Sequence, residues 1–270
     1  MRFIWIAITL MVIYTSCKKD DTGTPVEPPV AKDTIKSDLS LEFDNRIKDD
    51  ELHLALETYT TEIYAEQFTV TALKYFISNI ILTNTGDTAY TIPQDSSYFL
   101  IDENVYDSRF ANLKVPVGDY KTISFVLGVD SLRNINSSMQ TGVLDRTTFA
   151  KDMYWGADSG YIFFKLEGTS PASPQPGNVF SYHVGGFGGA ATPAIKNQAT
   201  VTIDLTQRGI AVVRAGNKSN IHLMADISRI FDNRGQPVRI ADHPVITLED
   251  FSSNIAYNYS GMFRHDHTEN

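Results

Sequence analysis

Short stretches of alternating apolar and polar residues, separated by turn residues, run through most of this 270-residue chain. Examples are LSLEF at 39–43, LHLALE at 52–57, GYIFFKLEG at 160–168 and ATVTIDL at 199–205. Successive side chains of a strand point to opposite faces, so this period of two predicts half-buried β-strands. Clusters of Gly, Pro, Asn and Asp bound the stretches, and no helical pattern alternates with them. The sequence therefore predicts an all-β fold, an antiparallel β-sandwich, rather than a parallel α/β sheet.

One of these stretches is much longer than the others. Residues 68–84 read FTVTALKYFISNIILTN and are rich in β-branched and aromatic residues, which favour strands. This composition predicts a long strand with a break near Lys74. The chain shows no internal repeat and no second linker, so residues 37–270 are expected to form one β-rich domain.

A late segment departs from the strand pattern. In residues 247–263, the apolar side chains of Phe251, Ile255 and Tyr259 recur at a spacing of four. That spacing places them on one face of a helix, and Thr247 is a suitable N-cap residue. The sequence therefore predicts a short C-terminal helix that leads into the polar end of the chain.

The first residues have the features of an export signal. Arg2 precedes an apolar run at 3–14, which is shorter than the roughly 20 residues that a membrane-spanning helix needs. It matches the apolar region of a secretory signal peptide. Small residues precede Cys17, the only cysteine, and this resembles a lipobox whose cysteine becomes lipid-modified. Residues 1–16 are therefore expected to be a lipoprotein signal peptide, with Cys17 as the lipid attachment site.

The segment that follows is expected to be a disordered tether over residues 17–36, because it is rich in proline and charge and poor in large apolar residues. The protein would then be anchored in the outer membrane, on its periplasmic or cell-surface face. The chain carries 32 acidic and 23 basic residues without a basic cluster. A nucleic-acid partner is therefore not expected, since phosphate binding requires clustered Lys and Arg.

Trp155 and His183 are the first candidate site residues. Trp155 is either an ordinary core residue or part of a site, and a buried aromatic is the commoner role. If residues 179–185 form a strand, His183 shares a face with Ser181 and Gly185. A histidine on such a face is either a hydrogen-bonded structural residue or a ligand.

The C-terminal HDH motif supplies the next candidates. In an extended chain His265 and His267 point the same way, so both imidazoles could bind one ion. The alternative is a frayed polar tail. His53 and His222 lie in alternating segments and are interpreted as ordinary sheet residues. The motifs G-x-S-x-G, H-E-x-x-H and C-x-x-C are absent, so the protein is not expected to be an enzyme.

Four blocks in order resemble the MbnP-like copper-binding family: LKYFISNIIL, VPVGDYKTISFVLGVDSLRN, MYWGADSGYIFFKLEG and FSYHVGG. The resemblance implies a single β-rich domain that is periplasmic or attached to the cell surface. It also implies a copper site of histidine imidazoles beside a tryptophan, which is oxidised to kynurenine in some relatives. A di-haem enzyme of the peroxidase type is the implied oxidising partner.

The resemblance extends to individual residues. Trp155 corresponds to the first tryptophan of the family's M-Y-W-type block, and His183 to the histidine before the double glycine. A C-terminal M-F-x-x-x-H pattern places His267 near the site, with His265 beside it. Relatives usually carry an aromatic residue or a histidine two positions after the tryptophan, where this chain has Ala157.

Further side chains would suit such a copper site. Thioethers and imidazoles are good ligands for Cu(I), so Met153 or Met262 could add a sulfur. Asp158 or Asp266 could orient an imidazole through a hydrogen bond. We therefore predict a metal site formed by His183, His267, His265 and Trp155, with copper as its ion.

Two functions remain open at this point. The first is a lipid-anchored copper-binding protein of the cell envelope, for copper uptake or storage. The alternative is a surface β-sandwich that binds a glycan or a protein and carries a degenerate metal site. Convergence of Trp155, His183 and His267 in the folded chain would favour copper, and their separation would favour the binding module.

Overall fold

The computed structural model describes residues 35–189, 194–232 and 235–270. The predicted signal peptide, Cys17 and the predicted tether up to residue 34 lie outside these ranges. Within them, no helix has the length and apolar character needed to cross a membrane. The first strand begins at Lys36, the residue predicted to end the tether.

Strands account for most of the regular structure. They are β1 Lys36–Ile47, β2 Asp50–Glu51, β3 Tyr59–Thr60, β4 Gln67–Asn84, β5 Ala89–Thr91, β6 Tyr98–Asp102, β7 Phe110–Pro116, β8 Gly118–Leu127, β9 Tyr154–Gly156, β10 Gly160–Thr169, β11 Val179–Gly185, β12 Ala199–Asp204, β13 Ala211–Val213, β14 Lys218–Asp226, β15 Val245–Ile246 and β16 Phe263–Glu269. The predicted all-β class is confirmed.

The helices are short. They are α1 Ser131–Ile135, α2 Arg229–Asp232 and α3 Ser252–Tyr259, with single 3-10 turns at Gln94–Ser96, Tyr106–Arg109, Ser137–Met139, Gly142–Leu144 and Pro176–Asn178. The helix α3 is the predicted C-terminal helix, and it buries Ile255 and Tyr259 completely. Thr247 is not its N-cap, because the helix begins five residues later, after Phe251.

The strands form two sheets. The small sheet has the order β16-β14-β1-β2, and β7 also pairs with β1. The large sheet has the order β12-β8-β4-β10-β11-β15, with the short strands β3, β5, β6, β9 and β13 attached to it. Most pairs are antiparallel, as predicted, but β1 and β14 pair in parallel over nine residues, from Asp38 to Arg46. Parallel neighbours need a long crossover, and the intervening large sheet supplies it.

The long strand β4 is not broken near Lys74. It runs without interruption from Gln67 to Asn84, with two irregularities inside it. Thr71 is an extra residue in the pairing with β10, and Asn79 has a φ of 53°. The pairing of β4 with β8 shifts register between Ser78 and Ile81. A single residue in the left-handed region changes the direction of the strand without ending its pairing.

The core lies between the inward faces of the two sheets. In β1 every second side chain is buried, among them Leu39, Leu41 and Phe43. Phe43 contacts Tyr75 and Phe125 of the large sheet edge to face, with ring centroids 6.2 and 5.8 Å apart. Each such buried aromatic contributes roughly 1.5–3 kcal/mol of transfer free energy. The half-buried residues that alternate with them in β1 consequently lie on the outer face of the small sheet.

Candidate metal centre

A β-bulge shapes the C-terminal strand β16, which lies at one edge of the small sheet. His222 of β14 lies opposite His267, whereas the next residue of β14, Leu223, lies opposite His265. Asp266 is therefore an extra residue on β16 with no partner of its own in the register. An inserted residue of this kind bends the strand and re-aims the side chains beside it.

The bulge places the two predicted histidine ligands on opposite faces. His265 faces the core beside Leu223, and only 8 % of it is exposed. Its Nε2 lies 2.9 Å from Thr268 Oγ1. His267 faces outward beside His222, with 47 % of its side chain exposed. The structure does not bring these two imidazoles together, because the expectation assumed an alternation that the bulge interrupts.

His267 instead meets His222, which the sequence did not single out. Their rings have centroids 4.8 Å apart. Asp266 Oδ2 lies between them, 2.8 Å from His267 Nδ1 and 3.2 Å from His222 Nδ1. Within the described ranges, these three residues are the group whose nitrogen and carboxylate ligand atoms all lie within 4.8 Å of one another. We call them the His222–Asp266–His267 cluster.

Further charged groups surround the cluster. The Nε2 of His222 lies 3.6 Å from Glu42 Oε1, and the Nε2 of His267 lies 3.5 Å from Glu269 Oε1. Arg208 Nη1 lies 3.6 Å from Asp266 Oδ1. Three carboxylates against one guanidinium leave the surroundings of the two imidazoles negative, which favours a bound cation.

Electrostatics within the cluster favours the ionised aspartate. Partial burial opposes ionisation of Asp266, but the hydrogen bonds from His267 and His222 outweigh it and lower the pKa of the carboxyl. The hydrogen bond to Asp266 is the main cause that raises the pKa of His267, against a smaller effect of desolvation. In the metal-free cluster, the ionised Asp266 carboxylate therefore accepts hydrogen bonds from both imidazoles and holds them together.

The donor set matches a transition metal. Two imidazole nitrogens and a carboxylate oxygen suit Cu(II), and imidazoles also bind Cu(I) and Zn(II). The cluster bridges the adjacent strands β14 and β16, so a bound ion would join the C-terminal strand to the centre of the small sheet. The side chains of His222 and Asp266 are 18 and 24 % exposed, so an ion can reach them from solvent.

The other two predicted site residues both belong to strands of the large sheet. His183 is half-buried on the outer face of β11, between the fully buried Tyr182 and Val184. Its Nε2 lies 2.7 Å from Glu167 Oε1 of β10. The ring of Trp155 lies against Gly185, where a Cβ would be 2.6 Å from Trp155 Cζ3. Trp155 of β9 thus packs at Gly185, two residues along β11 from His183.

The four predicted residues do not form one site. His267 and His222 are on the outer face of the small sheet, because Ile221 and Leu223, the neighbours of His222, point into the core. His183 is on the outer face of the large sheet, with the core between. The region of Trp155 therefore offers one imidazole, which is already bonded to a carboxylate, and Ala157 adds no donor. The side chains around Trp155 therefore offer fewer copper ligands than the His222–Asp266–His267 cluster does.

The candidate thioethers lie in the core. Met153 is completely buried and Met262 is 1 % exposed, and both pack within the hydrophobic cluster between the sheets. A sulfur ligand from either residue would require the core to open. Asp266, which the sequence suggested as an orienting residue, is itself a member of the cluster. His222 carried no sequence signal beyond its place in an alternating strand.

Comparisons with known proteins agree with this architecture. A profile of the MbnP family matches residues 36–249. Among solved structures, the fold is similar to that of MbnP from Methylosinus trichosporium, with a TM-score of 0.55 and 14 % sequence identity. The alignment covers 80 % of this chain and 82 % of that chain. A search of curated proteins finds no match.

The family match includes Trp155, His183 and His222 but ends before α3 and β16. Asp266 and His267 therefore lie beyond it. At 14 % identity, the structural likeness shows the fold rather than the site. Because the profile matches more than half of the sequence, the chain belongs to the MbnP family.

Proposed function

We propose that the protein binds copper at the His222–Asp266–His267 cluster and serves in copper uptake or storage in the cell envelope. The observation that carries this proposal is the meeting of three ligand atoms within 4.8 Å of one another on two adjacent strands. Membership of the MbnP family supports a copper-related role in general. The protein holds the ion as cargo and is not proposed to be an enzyme.

Copper titration of the full chain tests this proposal. Wild-type protein is expected to bind one tight copper ion, measured by competition with a chromophoric chelator. His222→Ala and His267→Ala should each weaken binding by more than about 100-fold, since even outer-sphere changes cost roughly 10- to 100-fold. His53→Ala is the matched control, because His53 is a half-exposed histidine beside the carboxylates of Glu51 and Glu57. Equal binding by all three variants would contradict the proposal.

The alternative function is a surface module that binds a glycan or a protein. Two observations favour it: Trp155, His183 and His267 do not converge, and the His183 imidazole is bonded to Glu167. A wild-type protein that binds no copper in the titration would support this alternative. Trp155 would then be a packing residue on Gly185.

The anchor and the enzyme partner are also proposals. We infer from the sequence that Cys17 carries the lipid, so Cys17→Ala should move the protein from the outer-membrane fraction to a soluble fraction. A Cys17→Ala protein that stays in the membrane would contradict the anchor. The family resemblance suggests a di-haem peroxidase-type enzyme that acts on Trp155. Mass spectrometry of the peptide containing Trp155, from cells with and without such an enzyme, tests that partnership.

A further inference from the structure

Glu42 is placed to act on the metal cluster from the neighbouring strand. β1 and β14 pair in parallel, and Glu42 lies directly opposite His222 in their register. Both side chains are on the outer face of the small sheet, because Leu41 and Phe43 on either side of Glu42 point into the core. The Glu42 carboxylate therefore faces the Nε2 of His222, 3.6 Å away.

The position of this carboxylate is fixed. Asn220 Nδ2 donates a hydrogen bond of 2.6 Å to Glu42 Oε2, which leaves Oε1 directed at His222. The Glu42 side chain is 26 % exposed and stands on the central strand of the sheet. The corresponding carboxylate at His267 is Glu269, which is 67 % exposed and is the last residue of the edge strand β16. The two imidazoles thus have unequal partners.

We propose that Glu42 is a positioning residue: when a metal is bound at Nδ1 of His222, the Glu42 carboxylate accepts the Nε2–H of that imidazole and holds the ring in its orientation. This inference rests on the proposed metal binding at the cluster. The Nδ1 atoms of His222 and His267 both face Asp266 Oδ2, so the ion would be bound through Nδ1 of each ring. Glu269 contributes less, because its side chain is 67 % exposed and lies at the end of the edge strand.

The chemistry of imidazole explains the role. A neutral ring carries one proton, and a ring bound to metal through Nδ1 must carry that proton on Nε2. A carboxylate that accepts the Nε2–H bond fixes this tautomer and the ring orientation, and makes the ligand more basic. Removal of such a partner typically weakens metal binding by about 10- to 100-fold.

Glu42→Gln and Glu269→Gln form a matched pair for the test. Each removes one negative charge at a similar distance from one imidazole, so a general charge effect would be equal in both. In copper titrations of the full chain, Glu42→Gln should weaken binding about tenfold or more and Glu269→Gln by less than about threefold. Urea unfolding of each metal-free variant verifies that both proteins are folded.

A spectroscopic readout separates positioning from charge. In zinc-loaded protein, NMR of the imidazoles should show the Nε2–H proton of His222 shifted downfield and exchanging slowly with solvent, because it is bonded to a carboxylate. In Glu42→Gln that proton should move upfield or exchange faster, whereas in Glu269→Gln it should not. Equal losses of affinity in the two variants, or an unchanged His222 signal, would overturn the role of Glu42 and leave metal binding intact. Failure of the wild type to bind any metal would instead overturn the proposed function and this inference together.

Discussion

At the scale of single residues, the candidate site depends on a histidine that the sequence could not distinguish. His222 lies in a strand that alternates normally, and nothing near it in the sequence marks it as a ligand. Its partners come from 44 and 45 residues further along the chain, through the pairing of β14 with β16. The sequence predicted His267 as a ligand. That His222 lies beside it depends on the register between β14 and β16, which no local sequence pattern indicates.

His265 should affect stability rather than metal binding. Desolvation lowers the pKa of this buried imidazole, so the folded protein keeps it neutral while the unfolded chain takes up a proton near pH 6.5. The unfolded state then binds more protons, and stability falls as pH decreases below about 6.5 toward the lowered folded pKa. In metal-free protein, His265→Gln should lose less stability between pH 7 and pH 5 than wild type.

Urea unfolding at the two pH values measures this difference. The same variant should keep the copper stoichiometry of wild type, because His265 faces away from the cluster. An unchanged pH dependence would show that the imidazole is protonated in the fold. Loss of copper would show that the bulge does not separate the two histidines.

At the scale of elements, the sequence pattern predicts the regular strands but not the positions at which strands are irregular. Alternation predicted β1, β12 and the buried face of β11, because those strands are regular. It also predicted β10, although β10 shifts register against each of its partner strands. It predicted a break near Lys74 where β4 continues with an extra residue at Thr71, and it missed both Asn79 and the bulge at Asp266. Each irregularity depends on the partner strand as much as on the local residues, so a single-strand pattern does not reveal it.

The contact between β9 and β11 gives a prediction for Gly185. A Cβ at this position would lie 2.4 Å from the backbone oxygen of Tyr161 and 2.6 Å from Trp155 Cζ3. The backbone oxygen cannot move aside as a flexible side chain would, so Gly185→Ala should destabilise the protein by ~1–3 kcal/mol. The Trp155 fluorescence should also shift, because the ring is displaced from its place on the strand.

Gly86→Ala is the control for this substitution. Its added Cβ would meet only Asn84 Oδ1, at 3.4 Å, in an exposed turn. We expect a change within about 0.5 kcal/mol of wild type. Urea unfolding followed by Trp155 fluorescence measures both variants. Equal stabilities of the two would contradict the packing of Trp155 on Gly185.

At the scale of the whole molecule, the fold class was predictable and the arrangement of sites was not. Period-two alternation and turn residues indicated an all-β domain, and a short C-terminal helix followed from its apolar spacing. The parallel pairing of β1 with β14 brings together strands from opposite ends of the chain, which no local pattern indicates. It sets Glu42 beside His222, while the large sheet carries His183 on its own outer face.

The location of the metal tests the central claim most directly. Crystals of the full chain loaded with copper, measured at the copper absorption edge, would show the ion as an anomalous peak. The account predicts one peak on the outer face of the small sheet, bonded to Nδ1 of His222, Nδ1 of His267 and the Asp266 carboxylate. A peak beside Trp155 and His183 on the large sheet, with the His222–Asp266–His267 cluster empty, would contradict it.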